Sequence, residues 1–353
     1  MPEMRMLDEH PTTVFRAPEF APAPAEVRGT SRDGVRLLVA RPEGISHVRF
    51  RDLPDQLSAG DVVVVNNSAT IAGEVDATGD TRGPVVLHLA TPLDDGSWVL
   101  EVRSAPDAGR AVLDAEPGET FATGVVGLTL VEPYPRDGSS PTGHGNRLWR
   151  AVVDGDLSGH LARAGRPIAY GYLDRRYPLS DYQSVFSALP GSAEMPSAGR
   201  PFTEAIVTDL VSRGVAVAPI TLHTGVSSQE AGEAPQAERF VVPEATARLV
   251  NSVRAGGGRV VAVGTTVTRA LESAVGDDGR VQARSGWTER VVTPADPPRV
   301  VTGLVTGWHD PQASHLLLVE AVAGPDLTQR AYDAAVDHRY LWHEFGDAAL
   351  LLP

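Results

Sequence analysis

The run Asp61–Val65 (DVVVV) constrains the fold more than any other stretch of this chain. A strand with one face in water alternates apolar and polar side chains, and four consecutive valines leave no polar face. Such a strand has to be covered on both sides, as in a parallel sheet flanked by helices. The sequence downstream supplies the helices. Phe202–Val211 (FTEAIVTDLV) has helical apolar spacing and is stopped by Gly214; Val215–Leu222 (VAVAPITL) then reads as a strand. Pro243–Arg254 (PEATARLVNSVR) opens on proline and ends at Gly256–Gly258, which predicts a helix. Arg259–Val263 is the next strand and Thr266–Ala274 the next helix. Ser314–Ala323 and Asp326–His338 also look helical, and Arg36–Val39 is a short strand. This alternation predicts an α/β fold, a mixed sheet with helices on both faces.

Between about Gly73 and Asp154 the pattern changes. Short alternating runs at Val85–Leu89, Trp98–Val102, Val125–Val131 and Leu148–Val153 are separated by turn formers such as Asp94-Asp95-Gly96 and Pro117-Gly118. That spacing predicts a small antiparallel β-barrel. The domain reading is therefore a main α/β domain, residues 1–72 and 155–353, with a β-barrel domain inserted at 73–154. Residues 1–30, rich in Pro and Ala, are expected to be extended or loosely tied.

Composition removes several function classes. Apolar residues at 42% afford a sizeable core, and the absence of cysteine excludes a disulfide scaffold, a thiol nucleophile and a thiolate zinc site. A formal net charge of −14 disfavours a general nucleic-acid coat. Arg163, Arg166, Arg175 and Arg176 make one local basic patch, to be weighed against an ordinary solvated face. No apolar run follows a basic start and none approaches the ~18 residues a membrane span needs, so no signal peptide and no membrane partner are expected. There is no phosphate-loop Lys, no G-x-G-x-x-G and no G-x-S-x-G. His343-Glu344 lacks the second His of an H-E-x-x-H zinc site, so no metal is expected, and the scattered acidic residues single out no carboxylate pair.

The candidate chemistry sits at strand ends. Val260–Ala270 (VVAVGTTVTRA) runs from a strand through Gly264-Thr265-Thr266 into a helix, whose N-terminal amides favour an anionic group. Arg269, one turn in, either clamps a carboxylate in bidentate fashion or is a surface residue of a capped helix. His223 follows a strand and reads either as an acid or base or as a structural hydrogen-bonder. Trp308 and His309 close another strand; the Trp either faces a base or cation or is a core residue. Asn66-Asn67-Ser68 offers amide and hydroxyl groups, or simply a turn.

Taken in order, these blocks resemble a known family. Phe50-Arg51-Asp52-Leu53-Pro54 with Gly60-Asp61, Asn66-Asn67-Ser68, Tyr182-Gln183-Ser184-Val185-Phe186, and Pro196-Ser197-Ala198-Gly199 with Phe202-Thr203 come first. Thr221-Leu222-His223 with Gly225, Val260–Thr266 with Arg269 and Leu271-Glu272-Ser273, His309 with Ala331-Tyr332, and Phe345-Gly346-Asp347-Ala348 complete the set. The chain is similar from Arg36 to Leu352 to the S-adenosylmethionine:tRNA ribosyltransferase-isomerases of queuosine biosynthesis. The resemblance implies a transferase in which the aminomethyl group of a 7-deazaguanine in tRNA attacks C1′ of the ribose of S-adenosylmethionine. Adenine and methionine leave, and the sugar becomes an epoxycyclopentanediol. It also implies a cytoplasmic protein whose partners are S-adenosylmethionine, as co-substrate rather than cofactor, and tRNA.

Under that resemblance His223 and His309 are the catalytic candidates. Asn66, Asn67, Ser197, Gly199, Phe202, Thr221, Gly225, Gly264, Thr265, Thr266, Arg269 and Trp308 are the substrate-binding ones. Departures from the family pattern cluster in loops: Ser68-Ala69 for a Thr-Arg pair, Arg200-Pro201 where a His is usual, Ser227-Ser228-Gln229-Glu230, Gln236-Ala237-Glu238-Arg239, and Gly307-Trp308-His309-Asp310. They leave two rival readings, a paralogue serving a small-molecule amine and a non-catalytic S-adenosylmethionine- or RNA-binding protein.

Overall fold

The computed structural model describes residues 9–16, 19–135, 144–226, 235–311 and 313–353. Its organising element is the valine run itself. In β3 (Val62–Asn66), Val62 and Val64 enter one core cluster while Val63 and Val65 enter the other. Burying a valine stabilises by roughly 1.5–3 kcal/mol, so covering both faces is worth several such increments. Asp61, just before β3, receives Arg259 Nη2 at 2.6 Å and the Arg259 backbone N–H at 2.9 Å, which aligns the starts of β3 and β14 (Val260–Val263).

Among the described residues nine strands form one mixed sheet. Its members, beside β3 and β14, are β1 (Arg36–Arg41), β2 (Gly44–Arg49), β12 (Ala216–His223), β13 (Glu238–Val242), β15 (Arg284–Thr288), β16 (Gly303–Thr306) and β17 (Ala348–Leu351). The order is β15-β13-β12-β3-β14-β16-β17-β1-β2. Neighbours β12, β3, β14 and β16 are parallel, so their carboxyl ends share one edge. One face is covered by α3 (Glu244–Ala255), α4 (Thr265–Ser273), α5 (Ser314–Ala323) and α6 (Pro325–Asp337). The other is covered by α2 (Glu204–Ser212) together with Phe50 and Leu53. This is the expected fold class.

The stretch after β3 forms the barrel. β4 (Ser68–Thr70) pairs with β11 (Leu189–Ser192), outside the large sheet. Then β5 (Glu74–Gly79), β6 (Gly83–Pro92), β7 (Trp98–Ser104), β8 (Thr120–Thr123), β9 (Val126–Pro133) and β10 (Leu148–Asp154) close on themselves in the order β10-β7-β6-β5-β8-β9. Closure removes exposed strand edges. α1 (Leu157–Ala164), capped by Asp156, follows.

Two expectations change. The described residues before β1 are tied to the body: Ala21, Ala23 and Ala25 are buried, and Thr12 and Thr13 donate backbone and hydroxyl hydrogen bonds to Glu320. Alanine side chains are small enough to seat an irregular segment against Tyr177, Tyr182 and Phe345. The basic patch is largely spent on the protein. Arg166 pairs with Glu74 and Asp76, Arg176 also reaches Glu74 at 2.7 Å, and Arg175 lies over the Tyr177 ring.

Candidate active site

The carboxyl edge of β12-β3-β14-β16 carries most of the residues singled out from the sequence. At the end of β3 the Asn66 amide donates to Leu222 O (2.8 Å) and accepts from Leu222 N (3.0 Å) and Ser68 N (3.0 Å). It therefore clamps β3 to β12 and is buried in that task. Asn67 Oδ1 accepts the Thr221 hydroxyl at 2.7 Å. His223 Nδ1 lies 2.7 Å from Ser68 Oγ, which in turn lies 2.6 Å from Ser192 Oγ. Burial, with the Arg239 charge added, holds the His223 imidazole below its ordinary value, so it is neutral at pH 7.

Gly264, between β14 and α4, has φ +93°, a conformation that favours glycine. A Cβ there would stand 3.3 Å from Ala198 Cβ, so the Ser197–Gly199 turn sits against this glycine. Thr265 and Thr266 form the first turn of α4.

Three expectations meet a different environment. Phe202 is a core residue, packed on Phe50 and Phe186 at ring distances of 5.0 and 5.2 Å. Trp308 is likewise core: it stacks on Trp342 at 5.0 Å, with Tyr332 and Tyr340 edge-on, although its indole N–H makes no hydrogen bond. Neither ring has a free face for adenine. Arg269 is neither a surface residue nor free. Its guanidinium pairs with Glu238 and donates to the carbonyls of Gln236 (2.8 Å), Thr288 (3.3 Å) and Arg290 (3.0 Å). A carboxylate clamp would have to displace these partners. The departure at Ser227–Glu230 lies outside the described residues.

Around Arg269 the fold gathers polar groups that periodicity and motifs did not reveal. Glu238 Oε1 accepts the Gly225 N–H at 3.4 Å, and burial pushes its carboxyl up despite Arg269. His315 of α5 stacks on His309 at 5.1 Å, and His309 Nε2 is 3.0 Å from Thr306 Oγ1. Burial and then Arg269 bring His315 down to about 4; burial, His315 and His343 hold His309 well below its ordinary value. His343 Nε2 is 3.5 Å from Asp310 and its ring stacks on Tyr172 at 4.6 Å. Tyr172 donates to Glu344 at 3.2 Å, and Tyr170 donates to Glu194. His309 and His315 are therefore neutral near pH 7, whereas Glu344, pushed up to about 8 by burial and the Glu194 charge, can hold a proton there. His343-Glu344 was visible in the sequence only as half of a zinc motif. Glu194 and Tyr170 had no local signal, because they meet through chain crossings. Among the described residues no group of three or more His, Asp or Glu is arranged to hold a metal ion, and no helix is long and apolar enough to cross a membrane.

Fold and edge together define an α/β protein with a barrel insertion, whose titratable side chains gather at the carboxyl ends of its central parallel strands. The family model described as "Queuosine biosynthesis protein" matches residues 15–351, and the chain belongs to that family. A relative named S-adenosylmethionine:tRNA ribosyltransferase-isomerase from Acidiphilium cryptum is 37% identical over 333 residues, 91% of this chain and 93% of its own. One of the same name from Symbiobacterium thermophilum is 36% identical over 349 residues, 94% and 96% of the two chains. The crystal structure of S-adenosylmethionine tRNA ribosyltransferase from Thermotoga maritima is 26% identical, covers 94% of this chain and 96% of its own, and superposes with a TM-score of 0.51.

Proposed function

We propose that this protein is an enzyme carrying out the S-adenosylmethionine:tRNA ribosyltransferase-isomerase reaction for which its relatives are named. The observation that carries the reading is the end-to-end match: similarity to those relatives runs through both the α/β part and the barrel. In this reading residues 1–72 and 155–353 are the catalytic domain and 73–154 the inserted one, and the protein works in the cytoplasm. The acceptor is the aminomethyl group of a 7-deazaguanine in tRNA. Its amine attacks C1′ of the donor ribose, while the sulfonium acidifies the C5′ hydrogens so that a base can remove one and adenine and methionine depart.

His223 is our candidate for that base. Its Nδ1 is engaged by Ser68, which leaves Nε2 as the ring nitrogen for a substrate proton. His309, more deeply buried and paired with Thr306, is the second candidate. The first turn of α4, with Gly264, Thr265 and Thr266, suits the methionine carboxylate. Arg269 holds Glu238 and the loop around Gln236 in place, a positioning role. Asn67, Thr221, Gly225 and the Ser197–Gly199 turn line the same edge.

The test is incubation of the purified protein with labelled S-adenosylmethionine and tRNA bearing 7-aminomethyl-7-deazaguanine, followed by mass spectrometry. Adenine, free methionine and a heavier tRNA base are expected. Release of adenine at the same rate without tRNA would remove tRNA as the acceptor, and no release at all would remove the enzyme.

A further inference from the structure

A polar clasp between the barrel and the edge of the large sheet has no part in the roles assigned above. His223, Arg239 and Trp287 stand directly opposite one another on β12, β13 and β15. Residues in register on antiparallel strands project from the same face, with Cβ atoms about 5 Å apart, so the three side chains form one row. That face is turned away from α3 and α4, because the alternate residues Leu222, Phe240 and Val242 enter the core those helices cover. Asp94, in the turn between β6 and β7, reaches onto the row from the barrel. Its Oδ1 lies 2.8 Å from Arg239 Nη2, and its Oδ2 accepts the Trp287 indole N–H at 2.9 Å. The Arg239 guanidinium lies 5.7 Å from the Trp287 ring, which closes the clasp.

Neither the turn nor the docking of the barrel depends on this contact. Asp95, not Asp94, accepts the Ser97 backbone N–H and hydroxyl inside the turn. The barrel is seated by an apolar cluster in which Ala90 and Val99 meet Ile168, Ala193 and Val226, with Leu93 packed against them. The side chains of Arg239 and Asp94 are 50% and 60% exposed, and an ion pair so open to water contributes little to stability. What the clasp does fix is the place of a cation. The other charged groups near this end of β12 are engaged in a different direction: Glu238 pairs with Arg269 on the helix side, and Glu194, after β11, accepts from Tyr170. β3 and β4 present only amides and hydroxyls there, from Asn66, Asn67 and Ser68. After burial, Arg239 is the charge that holds the His223 imidazole down.

We propose that Asp94 is a positioning residue for His223: through Arg239, the inserted barrel fixes a cation opposite the imidazole and so acts on the site without touching substrate. Without its anchor the long arginine side chain turns into solvent, where water screens it from the ring. The inference rests on the proposed function only in treating His223 as a base of the reaction.

NMR titration of the histidine side chains in the full-length protein tests this without turnover, the His223 signal being assigned by its loss in His223→Gln. Arg239→Gln removes the cation and is expected to raise the His223 midpoint by roughly half a pH unit, the scale of one solvent-screened charge at this range. Asp94→Ala is expected to raise it to the same place, and the double variant Asp94→Ala/Arg239→Gln adds nothing further. Both side chains are half exposed, so the fold is kept, which circular dichroism checks. A His223 midpoint that stays or falls in Asp94→Ala, or shifts that add in the double variant, overturns the positioning role. In turnover, the acid limb of the kcat profile of Asp94→Ala moves up with the midpoint while KM for S-adenosylmethionine is unchanged. A limb that stays while the midpoint moves shows an imidazole that turnover does not use, and overturns the role as well. The expected titration in a protein that releases no adenine discards the proposed reaction and leaves the hold of Asp94 on His223 standing. Adenine release with an unmoved His223 midpoint does the reverse.

Discussion

Ser68 Oγ lies 2.7 Å from Nδ1 of His223, and the same hydroxyl lies 2.6 Å from Ser192 Oγ. One serine therefore holds the ring orientation of the imidazole at the end of β12. Replacing His223 by Ala should lower kcat for adenine release by roughly 10²–10⁴, the usual range for a general base. Ser68→Ala should cost about tenfold in kcat with KM little changed, because the imidazole stays but loses its orientation. Steady-state kinetics of both variants check this. A loss in Ser68→Ala expressed only in KM would argue against the assignment.

Gly191 leaves the space that the same ring occupies. A Cβ at this position would stand 2.5 Å from His223 Nδ1 and 2.6 Å from Cε1. Gly191→Ala must swing the imidazole away and break its bond to Ser68. The expected result is activity near that of His223→Ala with an unchanged circular dichroism spectrum.

In the pair of Arg269 and Glu238 the arginine is buried and the glutamate nearly so, with side-chain exposures of 5% and 12%. Removing one member leaves an uncompensated charge, which typically costs about 3–5 kcal/mol. Arg269→Ala should therefore lower the urea midpoint sharply, and Arg269→Ala/Glu238→Gln should recover part of the loss. A surface arginine would have cost almost nothing, so equilibrium denaturation separates the two environments directly.

His315 titrates at about 4 in the folded protein, held down by burial and by Arg269, against roughly 6.5 when unfolded. Between those values the unfolded chain binds more protons, so stability rises with pH. The contribution is complete above about pH 6.5 and is lost as pH falls toward 4, by about 1–3 kcal/mol. His315→Gln should flatten that limb of a melting-temperature profile relative to wild type. Parallel profiles for the two proteins would refute the depressed imidazole.

Much of the architecture was legible because it is written in short-range pattern. Four valines without a polar partner required covering on both faces, and the seven runs of helical and strand spacing from Phe202 onward landed on α2, β12, α3, β14, α4, α5 and α6. The barrel was legible from turn spacing, although β5 and β8 were not, since their alternation is brief and interrupted by Gly79 and Gly124. The site was only half legible. Strand-end residues such as His223 and Gly264 announce themselves by following an apolar run, and parallel neighbours then place them on one edge.

Local sequence thus determined which segments are strands and helices, and which residues close the central strands, because burial periodicity and helix signals act over a few residues. Tertiary structure alone decided that Trp308 and Phe202 are core, that Arg269 is consumed by Glu238, and that His309 meets His315. Those outcomes depend on which charges and rings are brought together from distant segments and shut away from water, where pairing and desolvation outweigh any local preference.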